Sequence, residues 1–262
     1  MSGVDWNGIL RLPDAALAGD RRIPKTVLVK QAMLTKTEQK RLDKVARLEH
    51  FATVQKSTTR IPPYEDDDHN VQSVVFLRCE MAAGTMAVAE VAELVHKCFP
   101  NPTVLLIEAN GRTCVSVALT RKSQAEQGAT VVDRIEATGA FDPGRPGYAP
   151  FLDALDFAKL PQDDLLAYLQ GIAWAVRLSR SITSLGFYPM CADRNREQLG
   201  KLIARSDALA KEVSDNRQRR RDRGLSLNES AKLRVDTKRL EAEFDSVMGL
   251  IKSICTLGDT VE

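Results

Sequence analysis

The chain is 262 residues long, 44% hydrophobic and 27% charged, with a formal net charge of +2 from 37 basic and 35 acidic side chains. These values describe an ordinary globular chain able to bury a sizeable core, as one large domain or a domain with an appendage at ~150 residues per domain. The near balance of charge excludes an argument for nucleic acid from bulk charge, so only local clustering carries one.

Residues 1–25 read as a docking arm, with Trp6, Ile9, Leu10 and Leu12 too apolar for a solvated tail. Pro24 turns Ile23 away from the α region and opens a short helix through Val27, Leu28 and Leu34, and a second helix begins near Thr35. Alternation from Ala46 to Ser57, continued by Thr58-Thr59, predicts a strand. The run from Pro62 to Asn70 breaks it as an exposed loop, and Val71 to Met81 is a second strand. Gly84-Thr85 then opens a helix with a wide apolar face, ended by Pro100 and Pro102.

The organising stretch is Pro102 to Leu119. The apolar run Val104 to Ile107 and the strand-like Thr113 to Leu119 flank Asn110-Gly111, two residues that tolerate the positive φ of a tight primed turn. We read it as the central hairpin of a sheet. Thr130 to Ile135 suggests a further strand running toward Phe141, and the breaker cluster Asp142 to Gly147 marks the main boundary.

Everything beyond reads helical. Pro161-Gln162-Asp163-Asp164 precedes a long helix, with two acids where the helix dipole favours them, and Gly186 closes the segment. Arg194 to about Arg221 carries Leu199, Leu202, Ile203, Leu209, Ala210 and Val213, with Ser206 at an inward-facing position. A final helix carries Leu240, Phe244, Val247, Ile251 and Ile254 at spacings of 4, 3, 4 and 3, which is heptad spacing. Gly224 terminates the first of this pair, and Ser226-Leu227-Asn228-Glu229 fits a capping box opening the second, so the two are antiparallel neighbours.

The fold class is therefore α+β or α/β. A mixed-sheet domain with flanking helices spans 1–142, and an all-helical part spans 143–262, ending in an antiparallel coiled-coil hairpin at about 194–256.

Few motifs carry chemistry. The phosphate-loop, dinucleotide, zinc-protease and nucleophile-elbow patterns are absent. The five cysteines have no C-x-x-C pair and read as reduced thiols in a cytoplasmic protein. Asp5 stands early with no continuous apolar stretch around it, and no window of ~18 apolar residues occurs, so neither a secretory leader nor a membrane span is expected. Glu65 to His69 reads as a solvated acidic loop, and His96 as structural, so no metal and no cofactor are assigned. No catalytic residue is assigned either. Glu80 and Glu108 lie at strand ends, as in a degenerate metal-dependent nuclease, but neither sits in the Glu-x-Lys pattern that such a site uses.

The sharpest charged feature is Arg217-Gln218-Arg219-Arg220-Arg221-Asp222-Arg223, +4 within seven residues. Arginine forks match phosphate oxygens, which makes Arg217, Arg219, Arg220, Arg221 and Arg223 the candidate nucleic-acid contacts. The plainer reading is cations at a helix C-terminus, with no aromatic residues interleaved for base stacking.

In order along the chain, Leu12-Pro13, Arg22-Ile23-Pro24-Lys25, the strand from Leu48 to Thr59, Phe76-Leu77-x-Cys79-Glu80, Pro102 to Ile107 and Leu225-Ser226-Leu227-Asn228 resemble the bacterial family catalogued as domain of unknown function 4391. The resemblance covers nearly the whole chain and transfers no catalytic residue. Members tend to be encoded beside helicase and modification-restriction components. The resemblance therefore implies an accessory role in bacterial DNA handling or anti-phage defence. The expected protein is then a non-enzymatic subunit that binds a larger partner of helicase, methyltransferase or nuclease type, with nucleic-acid backbone as a further ligand. The alternatives are the degenerate nuclease and a homodimer joined through the seam Leu240, Phe244, Val247 and Ile251.

Overall fold

The structure is a computed structural model and describes residues 3–85, 87–99, 101–125, 128–221 and 224–256. The chain divides into two compact units, Met1–Arg180 and Ser181–Glu262.

The first unit holds α1 (Trp6–Leu10), β1 (Leu17–Arg22), α2 (Lys25–Gln31), α3 (Lys36–Leu42), β2 (Val45–Gln55), α4 (Lys56–Thr59), β3 (Tyr64–Glu65) and β4 (Asn70–Val71). It continues with β5 (Ser73–Met81), α5 (Val88–Cys98), β6 (Thr103–Ala109), β7 (Arg112–Lys122), β8 (Thr130–Ala137), α6 (Ala149–Asp153) and α7 (Leu165–Ser179). Six strands form one sheet in the order β1-β2-β5-β6-β7-β8, and β3 pairs with β4 separately. Among the described residues only β5 and β6 run parallel, joined by α5 as the crossover that a parallel pair requires.

The continuous apolar run Val104 to Ile107 belongs to a strand buried on both faces. On one face Leu48, Leu77, Leu105 and Ile107 join Leu28, Leu42, Val91 and Val95 from the helices α2, α3 and α5 in one apolar cluster. The residues that alternate with them, Phe76, Val104, Leu106, Val115 and Val117, are equally buried, and period-two geometry directs them to the opposite face. There α7 packs on β5, β7 and β8.

The central hairpin forms as its turn chemistry requires. Ala109 pairs with Arg112 across a two-residue loop, and Asn110 and Gly111 hold φ of 51° and 76°, the pair of positive values of a type I′ turn. At α3 the Thr35 hydroxyl accepts from the Glu38 N–H at 3.3 Å, and the Glu38 carboxylate accepts from the Thr35 N–H at 2.8 Å.

Several elements differ from the sequence reading. Part of the arm is a strand: β1 pairs antiparallel with β2, with a register shift between Leu17 and Arg21 around Gly19 at φ +66°. A neighbouring edge overrides a sequence with little strand propensity. Thr58 and Thr59 do not extend β2 but form α4, where the Gln55 N–H donates to the Thr58 hydroxyl at 3.1 Å. Asp164 is the N-cap of α7 rather than part of its first turn, its carboxylate accepting from the Ala167 N–H at 2.8 Å. The breaker cluster at 142–147 connects parts of the first unit. The packing boundary falls at Arg180–Ser181, because α7 packs on strands of the sheet.

The second unit holds α8 (Ile182–Leu185), closed by Gly186 at φ 85°, then α9 (Arg196–Arg219) and α10 (Leu227–Thr256). The two long helices pack along each other as a hairpin. The Ser226 N–H donates to Glu229 at 2.9 Å and the Glu229 N–H to the Ser226 hydroxyl at 3.3 Å, so the expected capping box is formed. Ser206 is buried facing inward, and its hydroxyl is satisfied by the Ile203 carbonyl at 2.9 Å.

Candidate functional site

Glu80 and Glu108 are in register on the parallel pair β5–β6, so both lie on one face at the C-terminal ends of these strands. The structure assigns Glu108 to an internal contact. Its carboxylate accepts from Arg78 Nε at 3.0 Å and from Trp6 Nε1 at 3.2 Å. Trp6 is 2% exposed, so the arm is seated over this carboxylate. A two-carboxylate metal site needs its oxygens open to the ion and further ligands. Among the described residues no group of three His, Cys, Asp or Glu is placed to hold one. A cation and an indole N–H converge on Glu108 Oε1 instead, which makes Glu108 the anchor of the arm.

The acidic loop is likewise closed on itself. Asp66 accepts from the Asp68 N–H at 2.9 Å and from the Tyr64 hydroxyl at 2.9 Å. Lys122 Nζ donates to Glu65 at 3.0 Å and to the Asp66 carbonyl at 2.7 Å. Desolvation alone raises the Asp66 carboxyl, but the hydrogen bonds from His69, Tyr64 and Asp68 outweigh it and lower it to about 2.

The arginine cluster stands at the end of α9. Arg219, Arg220 and Arg221 are exposed. Arg217 is exposed too, but its guanidinium reaches Glu241 of α10 at 2.7 Å, so it also ties the hairpin together. Arg223 lies outside the described residues. A run of guanidinium forks at an exposed helix end can engage phosphate or carboxylate oxygens bidentately.

The seam named as a partner interface is internal. Leu240, Val247 and Ile251 are buried at 7%, 7% and 0% exposure, and Phe244 is half-buried. Heptad spacing marks residues that seek a helical partner without saying which helix. Here α9 supplies one within the same chain.

Three contacts have no counterpart in the sequence reading. Trp6 and Arg78 converge on Glu108. Glu136, 4% exposed, receives Arg180 at 2.7 Å and Arg134 at 3.2 Å. His96 on α5, fully buried, lies with Nε2 2.9 Å from Ser116 Oγ on β7, and burial pushes its imidazole down to about 4. No local motif announces these pairs, because their members meet only when the sheet assembles.

A family model described as Domain of unknown function (DUF4391) matches residues 10–244. No curated protein and no solved structure matches the chain. Among the described residues no helix is long and apolar enough to cross a membrane.

Proposed function

The chain belongs to the DUF4391 family, and we propose that it is a non-catalytic accessory subunit of a bacterial DNA-handling or anti-phage defence complex. The sheet unit docks on a larger protein of helicase, methyltransferase or nuclease type, and the basic end of the helical hairpin grips a phosphate backbone. The observation that carries this reading is the exposed run Arg219-Arg220-Arg221 at the end of α9. It is a concentrated charge on a chain whose net charge is only +2. The carboxylate at the centre of the competing nuclease reading, Glu108, is held by Arg78 and Trp6. The edge strand β8, with Val131 partly exposed, supports docking of the sheet unit by strand addition. The heptad-spaced seam is read as an intramolecular coiled coil, so a homodimer would need a different surface.

The test is duplex DNA binding by fluorescence anisotropy across a salt series. Each phosphate neutralised contributes about −0.9 to the slope of log K against log salt. Reversing Arg219, Arg220 and Arg221 to Glu therefore removes the binding and flattens the slope. Undiminished affinity in that variant sinks the phosphate-grip reading and leaves the arginines as a helix end.

A further inference from the structure

The two flanks of the helical hairpin differ in charge. Along one of them α10 presents Glu229, Lys232, Asp236, Arg239 and Glu243, and α9 presents Arg205, Glu212, Asp215 and Arg219. Each set recurs at steps of three, four or seven residues, which puts its members on one face of the helix. Contacts show that these two faces adjoin. Arg205 Nε donates to Glu243 at 2.9 Å. The Glu229 carboxyl is held low by hydrogen bonds from Ser226 and then by the charge of Arg219. Four cations meet five acids on this flank, so it offers an anion no net attraction.

The opposite flank carries Arg217 and Arg221 from the end of α9, and Arg234, Lys238, Glu241 and Asp245 from α10, at steps of four and three. Arg220 keeps a right-handed helical backbone at φ −63° and ψ −15°, which carries Arg221 onto the row of Arg217. Here the charges are sorted along the hairpin. Arg217 takes Glu241 at 2.7 Å, and Asp245 lies a turn further from the connection between the helices.

The helices are antiparallel, so a step from that pair toward the connection leads to Arg221 on one side and to Lys238 and Arg234 on the other. All three are exposed, and none has an ion pair among the described residues. Neighbours on one helix face stand about 5–6 Å apart, and packed helices lie about 8–10 Å apart. Three uncompensated cations therefore share a patch about 10 Å across.

We infer that this patch, Arg221 with Arg234 and Lys238, is a seat for the phosphate backbone of duplex DNA, which lies along the side of the hairpin rather than across its end. The inference rests on the phosphate-grip reading above and adds two residues of α10 to it. Guanidinium forks take phosphate oxygens bidentately, and the lysine adds a point charge beside them. The balanced flank, which holds Arg219, faces away from the DNA.

The test is duplex DNA binding by the full-length chain, measured by fluorescence anisotropy across a salt series. Two double variants remove the same charge from opposite flanks of α10, all at exposed positions: Arg234→Ala with Lys238→Ala, and Lys232→Ala with Arg239→Ala. Two phosphate contacts contribute about 1.8 to the slope of log K against log salt. The first variant is expected to lose that much slope, and the second to keep the native slope. Equal slopes in the two variants, or a native slope in the first, overturn the seat. If reversing Arg219, Arg220 and Arg221 still abolishes binding in that case, the phosphate-grip reading stands without it. A native chain with no salt-dependent binding overturns that reading, and the seat with it.

Discussion

In the sheet unit the decisive contacts join residues far apart in sequence: Trp6 reaches Glu108 across 102 positions, and β5 lies beside β6 with α5 between them. In the hairpin two consecutive helices meet across one connection. The sheet unit also draws carboxylates inward onto arginines, as Arg78–Glu108 and Arg180–Glu136. The hairpin keeps its ion pairs on exposed surface, as Arg205–Glu243 with side chains 46% and 45% exposed. This difference separates the stability of the molecule from the binding proposed for it. Substitutions in the sheet are felt through packing and desolvation, and charge changes on the hairpin leave the fold alone.

The largest effect expected is at the sheet core. Phe76→Ala, at a fully buried position, costs about 3–5 kcal/mol in urea denaturation; a loss under about 1 kcal/mol would show that the sheet is not packed as described.

Next comes pH. The folded His96 imidazole is lowered to about 4 from an unfolded value of 6.5. Between those values the unfolded chain binds the additional proton, so stability is complete above pH 6.5 and falls as pH drops toward 4, by up to about 3 kcal/mol. His96→Gln flattens the stability profile across that window, and an unchanged slope in that variant assigns the pH dependence elsewhere.

Gly111→Val places a β-branched residue at φ 76° and costs about 1–2 kcal/mol, read as a lowered midpoint of thermal unfolding. On the hairpin, Ser226→Ala removes the N-cap of α10 and costs about 1 kcal/mol. Hydrogen exchange localises that loss to the first turn of α10, and exchange spreading into the sheet would mean that the two units do not respond separately. Smallest of all, reversing Arg219, Arg220 and Arg221 shifts stability by less than about 0.5 kcal/mol. A larger loss by the same denaturation measurement makes these arginines part of the fold.

What was legible follows from where each signal resides. Turn and cap chemistry is local: Asn110-Gly111, the Ser226–Glu229 box and Gly186 all form as read, and the helix expected near Thr35 opens on a Thr35–Glu38 box that the sequence reading did not name. The two glutamates of the nuclease reading were legible as strand-end residues, but their register across β5–β6 and the capture of Glu108 by Trp6 and Arg78 were not. The heptad seam was legible as apolar, and its partner was not.

By itself the sequence determined the mixed α/β class, the central hairpin, the helical second part and the basic end of α9. Those depend on side-chain period, backbone φ preference and local charge, which neighbouring residues settle among themselves. Only the tertiary structure decided that β1 is an edge strand, that α7 belongs with the sheet, that the seam faces inward and that His96 meets Ser116. Each of these depends on which distant surface is available to cover an apolar or polar group, and that is settled by the free energy of the assembled core.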